Sequence, residues 1–362
     1  MFEIIFTVIV MLYGIVLFFI VTGIRKRFNL SENSGTRVTI VVPVRNEEAK
    51  ITALIKSIIS LDYPKELLEL IIVDDESVDA TALIVKRVTE GYDNFRFIPV
   101  IESPEIPKGK ARALDTGIKA ASGEVIMITD ADCFLPTGWV RAHLKYYRDE
   151  IKMVCGFTTV SGEDSFSAFQ AYDHFYLLGI AAGMTNHGLP VSCIGNNLSF
   201  RKSAYEMTGG YSSYPCSVNE DFYLLHAIRE LDAKSVCFPP DPSALVVTDP
   251  VKSVAGFLKQ KKRWGSTLRD VPVHGLFLII TAFATNIMCL FSGFSFSSVS
   301  LYLLSLKIAL DYFYLRYLSG AFSINKRLGT FLLFELVFLV YLFIVPFMLL
   351  MNRKVEWKGR TS

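Results

Sequence analysis

Residues 38–47, with the sequence VTIVVPVRNE, decide the fold of this chain. The first seven are β-branched residues and one proline, and an arginine, an asparagine and a glutamate follow directly. A short apolar run without alternating polar positions predicts a strand that is buried on both faces, as in a parallel sheet. Similar runs recur with helical patterns between them, which predicts an α/β fold with a mainly parallel sheet.

The other predicted elements continue this alternation between residues 36 and 266. Further buried strands are predicted at residues 70–73, 95–100 and 125–129. The intervening helices are predicted at residues 47–60, 80–90 and 110–121. This region has the length of one large domain.

The composition indicates a membrane protein. Hydrophobic residues make up 51% of the 362 residues, and the mean hydropathy of +0.38 is too high for a soluble enzyme of this size. The 37 lysine and arginine residues nearly balance the 35 aspartate and glutamate residues, so we expect no nucleic-acid partner. The five histidines lack the spacing of a zinc site, and we expect them to be core or surface residues.

Residues 1–27 are predicted to form a transmembrane anchor. Residues 4–24 carry no charge, and a helix of that length crosses a hydrocarbon core of ~30 Å. A cleaved signal peptide is the alternative, but no basic residue precedes the apolar stretch and no small-residue cleavage site follows it. Arg25, Lys26 and Arg27 come next, so the positive-inside rule predicts that the domain after the anchor is cytosolic, on a multi-pass protein of the cell membrane.

Residues 272–351 are predicted to be a second membrane region with two or three crossings. Its apolar blocks lie at residues 275–294, 297–318 and 330–351. The middle block contains Lys307 and Asp311, one helical turn apart, which would pair if they were buried. The basic pair at residues 326–327 predicts a cytosolic loop. The basic tail at residues 352–362 favours the same side, yet three crossings would put it outside, so its side stays open.

Polar clusters follow three of the predicted strands, at residues 45–47, 74–77 and 130–132. Ligands bind at the carboxyl ends of the strands in an open parallel sheet. Turns or helix caps explain each cluster alone, but several carboxylates at one edge repel one another unless a cation compensates them. Asp130 and Asp132 suit a hard divalent cation that is shared with a diphosphate. Neither a dinucleotide-binding fingerprint nor a P-loop is present in the sequence.

The order of these motifs resembles glycosyltransferase family 2 with its GT-A fold, over residues 36–266. The matching segments are PVRNE at 43–47, DDESVD at 74–79, KGKARAL at 108–114, DAD at 130–132, NED at 219–221 and QKKRW at 260–264. The last segment, a Q-x-x-R-W pattern, is similar to that of cellulose, chitin and hyaluronan synthases and of the ceramide glucosyltransferase type. The end of the chain, VEWKGR at 355–360, resembles smaller bacterial members that glycosylate lipids or carotenoids.

The resemblance implies binding roles for the matching residues. The nucleotide-sugar would contact Pro43, Glu47, Asp74, Asp75, Lys110 and Asp130. The cofactor would be Mg²⁺ or Mn²⁺, held by Asp130 and Asp132. The residues that would close over donor or acceptor are Gln260, Arg263 and Trp264.

The resemblance also implies that Asp221 is the catalytic base. Its neighbour Glu220 is the rival, but consecutive residues of a helix point about 100° apart, so only one can face the acceptor. Helix capping is the alternative explanation for both carboxylates. The commoner form of the family motif has a threonine at the position of Asn219.

Five parts of the chain are therefore expected. They are the anchor at 1–27, a GT-A catalytic domain at 36–249, an amphipathic interfacial helix at 250–266, the membrane region at 272–351 and the basic tail at 352–362. The expected function is inverting, metal-dependent transfer of a sugar from a nucleotide-sugar, expected to be a UDP-sugar, to a membrane-associated acceptor such as a lipid. The alternatives are a processive polysaccharide synthase and a catalytically inactive membrane protein that binds sugar nucleotides.

Overall fold

A computed structural model of the protein describes residues 1–33, 35–215, 218–295, 297–322, 328–351, 356–357 and 360–361. The predicted cytosolic loop at residues 326–327 and most of the predicted basic tail lie outside these ranges.

The described part of the α/β domain contains ten strands. They are β1 (Val38–Val44), β2 (Leu68–Asp74), β3 (Phe95–Pro99), β4 (Val125–Ile128), β5 (Cys133–Phe134), β6 (Met153–Cys155), β7 (Thr158–Val160), β8 (Leu198–Arg201), β9 (Val236–Cys237) and β10 (Val246–Thr248). Seven of them form one sheet in the order β3-β2-β1-β4-β8-β6-β9, and β5, β10 and β7 form a second, smaller sheet. Strands β1 to β4 are parallel, and only β8 runs against its two neighbours, which confirms the mainly parallel sheet.

Twelve helices accompany these strands in the described residues. They are α1 (Phe2–Ile24), α2 (Ile51–Ile59), α3 (Thr81–Val88), α4 (Lys110–Ala120), α5 (Trp139–Leu144), α6 (Ser165–Asn186), α7 (Lys202–Met207), α8 (Glu220–Leu231), α9 (Val254–Gly265), α10 (Val273–Ser295), α11 (Ser298–Ala321) and α12 (Leu328–Met351). The short strands β11 (Glu356–Trp357) and β12 (Arg360–Thr361) pair near the C-terminus. The helix expected from residue 47 starts at Ile51, because Asn46 has a positive φ of 53° and residues 48–50 form a turn.

Among the helices that the structure describes, four are long and apolar enough to cross a membrane, namely α1, α10, α11 and α12. The predicted pair inside this group is confirmed, since the Lys307 ammonium lies 2.9 Å from the Asp311 carboxylate. The same ammonium lies 2.6 Å from the Glu335 carboxylate on α12, and the Tyr13 hydroxyl on α1 donates to Asp311. Buried polar contacts therefore connect three of the four helices.

Helix α6 joins the membrane helices to the sheet, and the sequence analysis does not predict it. It packs against α1, α11 and α12 on one side and against β7 and β9 on the other. Its crossing with α1 is close, because a Cβ on Gly23 would lie 2.1 Å from the Gly183 carbonyl oxygen. One apolar core therefore continues from one face of the sheet into the membrane helices, and a second core covers the opposite face.

Candidate active site

The first wall of the site is the edge of the sheet where β1, β2 and β4 end. Two residues there, Asn46 and Glu76, adopt positive φ angles of 53° and 62°, which are uncommon for side chains other than glycine. They turn the chain sharply after β1 and β2, and the Arg45 guanidinium then donates to the Asp75 carbonyl oxygen at 2.6 Å. Strained backbone conformations of this kind cluster at functional sites.

A cavity of about 730 Å³ opens at this edge and extends between α6, α10 and α12. It brings together most of the residues that the sequence singled out. Those that line it are Pro43, Glu47, Lys110, Asp130, Asp132, Asp221, Gln260, Arg263 and Trp264. Asp74 and Asp75 do not line it: the Asp74 carboxylate accepts from the Ser77 amide at 3.1 Å, and Asp75 is buried with its carboxylate 3.7 Å from the Arg112 guanidinium.

Lys110, Asp130 and Glu220 form the Lys110 cluster at the polar end of the cavity. The ammonium lies 2.8 Å from the Asp130 carboxylate and 3.2 Å from the Glu220 carboxylate. Burial disfavours the charged ammonium, but the two carboxylates outweigh burial, so the pKa of Lys110 lies above its ordinary value. Lys110 begins α4 and Glu220 begins α8, so this one side chain ties two helices to the end of β4.

Asp130 and Asp132 suit a divalent cation that is shared with a ligand. Their side chains are about one-third exposed, at 34% and 35%, so part of each carboxylate is open to a ligand. Lys50 approaches the Asp132 carboxylate at 3.8 Å and the Asp249 carboxylate at 3.1 Å. No group of three or more metal-ligating side chains occurs within the described ranges. Two carboxylates fit Mg²⁺ or Mn²⁺ only where phosphate oxygens and waters complete the coordination.

Asp221 is in the first turn of α8 and lines the cavity beside Gly195. A Cβ on Gly195 would lie 3.1 Å from its Oδ2, so the glycine leaves this carboxylate room. Burial raises the pKa of Asp221 to about 6, the charge of Glu220 adds to the increase, and Lys110 and Arg263 oppose it. A carboxyl group with this pKa is ionised at neutral pH and more basic than an ordinary aspartate.

Helix α9 carries Gln260, Arg263 and Trp264 to the opposite wall of the cavity. The Asn219 amide, next to the Lys110 cluster, donates to the Arg263 carbonyl oxygen at 2.8 Å and so connects α9 to the start of α8. Lys261, also on α9, is a basic residue that does not face solvent. It is buried, its ammonium lies 3.9 Å from the centre of the Trp264 ring, and it donates to Asp173 on α6.

Sequence reasoning missed several residues that line the cavity, among them Lys50, Asp249, Gln170 and His174. Gln170 and His174 lie on α6, which is buried on nearly all sides and so lacks the periodicity that reveals a helix. His174 is buried and contacts Trp264, with ring centres 5.5 Å apart. Burial, with the nearby Lys261 charge adding, lowers the pKa of His174 to about 4, so the ring is neutral at pH 7.

The far end of the cavity is apolar. Its wall is formed by Ile180 and Ala181 of α6, Leu278 and Ala282 of α10, and Leu342 of α12. The cavity therefore connects the carboxylates at the edge of the sheet with the space between helices that are long enough to span a membrane. This geometry suits a charged ligand at one end and an apolar ligand at the other.

The model of the family described as "Glycosyl transferase family 2" matches residues 39–221 of this chain. The chain belongs to glycosyl transferase family 2. The match confirms the resemblance to this family that the sequence motifs of the glycosyltransferase indicated. The match extends from β1 to Asp221, so it contains most of the charged residues at the polar end of the cavity and excludes α1, Asp249, α9 and helices α10 to α12.

Relatives of this family 2 glycosyltransferase include synthases of polysaccharide. Poly-beta-1,6-N-acetyl-D-glucosamine synthase of Staphylococcus epidermidis is 26% identical over 308 residues, which are 82% of this chain and 72% of that protein. The probable glycosyltransferase YdaM of Bacillus subtilis is 38% identical over 96 residues, but these are only 26% of this chain and 23% of that protein.

Among solved structures, the mannosyltransferase PcManGT from Pyrobaculum calidifontis, in complex with GDP-Man and Mn²⁺, shares the fold. The TM-score is 0.62 at 20% identity, and the match covers 90% of this chain and all of that one. This similarity confirms the GT-A fold of the glycosyltransferase.

Proposed function

We propose that this glycosyltransferase moves one sugar from a nucleotide-sugar, with a divalent cation bound, to a hydroxyl of an apolar acceptor that enters from the membrane. The observation that carries the proposal is the single cavity that joins the carboxylates at the end of β4 to apolar walls on α6, α10 and α12. An entirely water-soluble acceptor would not need the apolar end.

The donor would bind at the polar end. Asp130 and Asp132 would hold Mg²⁺ or Mn²⁺, and the cation would neutralise charge on the departing nucleoside diphosphate. Lys110 lies 2.8 Å from Asp130, so it would keep this carboxylate in position and add positive charge beside the diphosphate. Pro43 and Glu47, at the end of β1, would contact the nucleoside. Asp74 and Asp75 would not contact the nucleotide-sugar, and would instead stabilise the turn after β2 that supports the nucleoside-binding residues.

The acceptor would react beside Asp221. A positioned base that removes the proton of an attacking hydroxyl typically contributes ~10²–10⁴ in rate. Asp221 suits that role better than Glu220, because Glu220 already faces the Lys110 ammonium at 3.2 Å. Gln260, Arg263 and Trp264 on α9 would close the cavity over the reacting groups.

A processive polysaccharide synthase is the second candidate, and the similarity to poly-beta-1,6-N-acetyl-D-glucosamine synthase favours it. An extruded polysaccharide requires a polar channel across the membrane. The described walls of the far end are instead apolar, which favours a single transfer to an apolar acceptor. The third alternative, a protein that binds sugar nucleotides without catalysis, gives no reason to place Asp221 in the cavity wall.

We also propose an orientation in which all four long helices cross the membrane and the catalytic domain is cytosolic. Arg25, Lys26 and Arg27 after α1 support this side for the domain. The loop at residues 323–327 is then cytosolic and the tail after α12 lies outside. Cysteine labelling from outside intact cells would test the positions of this loop and of the tail. Labelling of the loop from outside would refute the orientation.

The decisive experiment supplies the purified full-length protein in lipid vesicles with radiolabelled nucleotide-sugars and separates lipid-soluble from polymeric product. We expect lipid-soluble label. Ala282→Trp, which fills the apolar end, should raise the acceptor KM while the donor KM stays unchanged. The exposed Ile280 on the same helix provides the matched control, since Ile280→Trp leaves the cavity open. Label in a water-soluble polymer would instead favour the synthase.

A further inference from the structure

We infer that the acceptor is an uncharged amphiphile that presents a hydroxyl group, and not a lipid phosphate. The inference rests on the proposed function and names the substrate class at the apolar end of the same cavity. Three observations carry it: the balance of charge around the cavity, the ion pairing of its lysines, and the lack of charged groups along its described apolar wall.

Negative charge predominates around the polar end of the cavity. The carboxylates that line it are Glu47, Asp130, Asp132, Glu220, Asp221 and Asp249, and the cations that line it are Lys50, Lys110, Lys261 and Arg263. The donor brings further negative charge in its diphosphate, which a divalent cation on Asp130 and Asp132 would offset. A lipid phosphate would add another one to two negative charges in the same space.

The lysines of the cavity already face carboxylates. Lys50 lies 3.1 Å from Asp249, and Lys110 lies between Asp130 and Glu220. Lys261 donates to Asp173, whose other oxygen accepts from the Tyr341 hydroxyl at 2.5 Å. Recruiting Lys110 or Lys261 to a phosphate would leave a buried carboxylate, Glu220 or Asp173, without its counter-charge, which is strongly unfavourable.

Arg263 is the remaining cation of the wall. Its guanidinium donates to the Val218 carbonyl oxygen at 3.4 Å and stabilises the ionised form of Asp221. In this position the Arg263 charge stabilises the Asp221 carboxylate, which would face the acceptor. An acceptor phosphate at the same place would compete with Asp221 for it.

The boundary between the polar and apolar ends is lined by neutral polar groups beside the Lys261–Asp173 ion pair. The side-chain amide of Gln170 makes two hydrogen bonds to the backbone of Val251. It donates to the Val251 carbonyl oxygen at 3.0 Å and accepts from the Val251 N–H at 2.9 Å. His174 is neutral, and the Tyr176 hydroxyl pairs with the Tyr13 hydroxyl at 2.6 Å. Beyond them the described lining along α10 and α12 contains no charged side chain. Such a wall accommodates an apolar chain with a small uncharged head.

The chemistry is consistent with this assignment. A bond forms between the acceptor hydroxyl oxygen and the anomeric carbon, the bond from that carbon to the diphosphate oxygen breaks, and the hydroxyl proton passes to Asp221. The products are a glycoside and a nucleoside diphosphate. A phosphate monoester is already largely ionised at pH 7, so its attack would need no base where Asp221 lies.

The test uses the full-length protein in vesicles made from a total lipid extract of the source organism, with a panel of radiolabelled nucleotide-sugars. Products are separated on an anion-exchange column and treated with mild acid. We expect the label in lipids that are not retained and that resist acid, as a glycoside does. Label in retained, acid-labile lipids would indicate a glycosyl phosphate, and would overturn the inference while leaving transfer to a lipid intact.

The other outcomes separate the two proposals. Label that stays water-soluble, as polymer or as unreacted donor, would refute transfer to a lipid and the inference with it. A defined pair of acceptors sharpens the result: a long-chain alkyl alcohol and the alkyl monophosphate of the same length. We expect kcat/KM for the alcohol to exceed that for the phosphate at least about tenfold, and a preference for the phosphate would overturn the assignment.

Discussion

Two lysine-centred clusters lie in the interior of this protein, and each places one ammonium between two carboxylates. In the Lys110 cluster the partners are Asp130 and Glu220, at 2.8 and 3.2 Å. In the Lys307 cluster, formed by Lys307, Asp311 and Glu335, the corresponding distances are 2.9 and 2.6 Å. The two clusters therefore have nearly the same residue types and nearly the same distances between ammonium and carboxylates.

The two clusters differ in their access to ligands. The Lys110 cluster lines the cavity, and 34% of the Asp130 side chain is exposed. The Lys307 cluster is enclosed between α11 and α12 and does not line the cavity, and the exposure of its side chains is 8% or less. Buried ion pairs alone therefore do not identify a functional site. We expect the open cluster to control turnover and the enclosed cluster to control stability.

The largest expected effect is that of chelation. Excess EDTA should abolish transfer, and Mg²⁺ or Mn²⁺ should restore it, because Asp130 and Asp132 require a cation to accept a diphosphate. Without donor present, the thermal unfolding temperature should stay unchanged, since Asp130 and Asp132 hold the cation only together with phosphate oxygens. Full activity in excess EDTA would contradict the assignment of Asp130 and Asp132.

Asp221→Asn should lower kcat by about 10²–10⁴ through loss of the base, with donor KM and expression near normal. Loss of a helix cap alone would cost about 1 kcal/mol of stability and leave turnover largely intact. Glu220→Gln is the matched control on the adjacent position of α8. If Asp221→Asn keeps more than about a tenth of the wild-type kcat while Glu220→Gln is inactive, then Glu220 is the base.

A matched pair of lysine substitutions separates the clusters directly. Lys110→Met should lower kcat by about ten- to a hundredfold, because positive charge beside the diphosphate is lost. Lys307→Met should leave kcat near normal but lower the free energy of unfolding by about 3–5 kcal/mol, because buried carboxylates lose their counter-charge.

Thermal unfolding and initial rates on the same preparations measure both effects. Replacing Lys307, Asp311 and Glu335 together by apolar residues should recover much of the lost stability. A Lys307→Met protein that is fully stable but inactive would reverse the comparison.

The smallest effect concerns pH. Because burial raises the pKa of Asp221 to about 6, its ionised, proton-accepting form decreases as the pH falls through 6. The kcat/KM should therefore be half-maximal near pH 6 and fall about tenfold for each further pH unit. An ordinary aspartate would place this decrease near pH 4. A kcat/KM that stays constant down to about pH 4 would exclude Asp221 as the base.

Local sequence signals predicted most of the sheet. The strands β1 to β4 are short, apolar and bounded by polar turns, so their positions agree with prediction to within two residues at either end. The Lys307–Asp311 pair was also predictable, because its members are four residues apart on one helix. Glu335 was not, since it reaches the pair from α12, across a distance of 28 residues in sequence.

The residues at the acidic end of the cavity could be predicted from the sequence, whereas those at its apolar end could not. Asp130 and Asp132 come just after β4, so their place at this edge follows from the topology of a parallel sheet, whereas Asp221 was expected in the site only from the family resemblance. The apolar half depends on α6, whose apolar residues point in all directions because both membrane helices and sheet cover it. Only tertiary packing determines which of its side chains line the cavity.

The close crossing of α1 and α6 has a practical consequence for protein engineering. A Cβ on Gly183 would lie 2.4 Å from the Ile20 carbonyl oxygen, and the Lys26 ammonium donates to the Asn186 carbonyl oxygen at 2.7 Å. Helix α1 therefore packs as an integral part of the catalytic domain and is not a separable membrane anchor. Deleting residues 1–27 to obtain a water-soluble fragment would expose an apolar face of α6 and favour aggregation. Co-expression of the first helix as a separate peptide, so that the two pieces reassemble in the membrane, is the more promising route to a split enzyme.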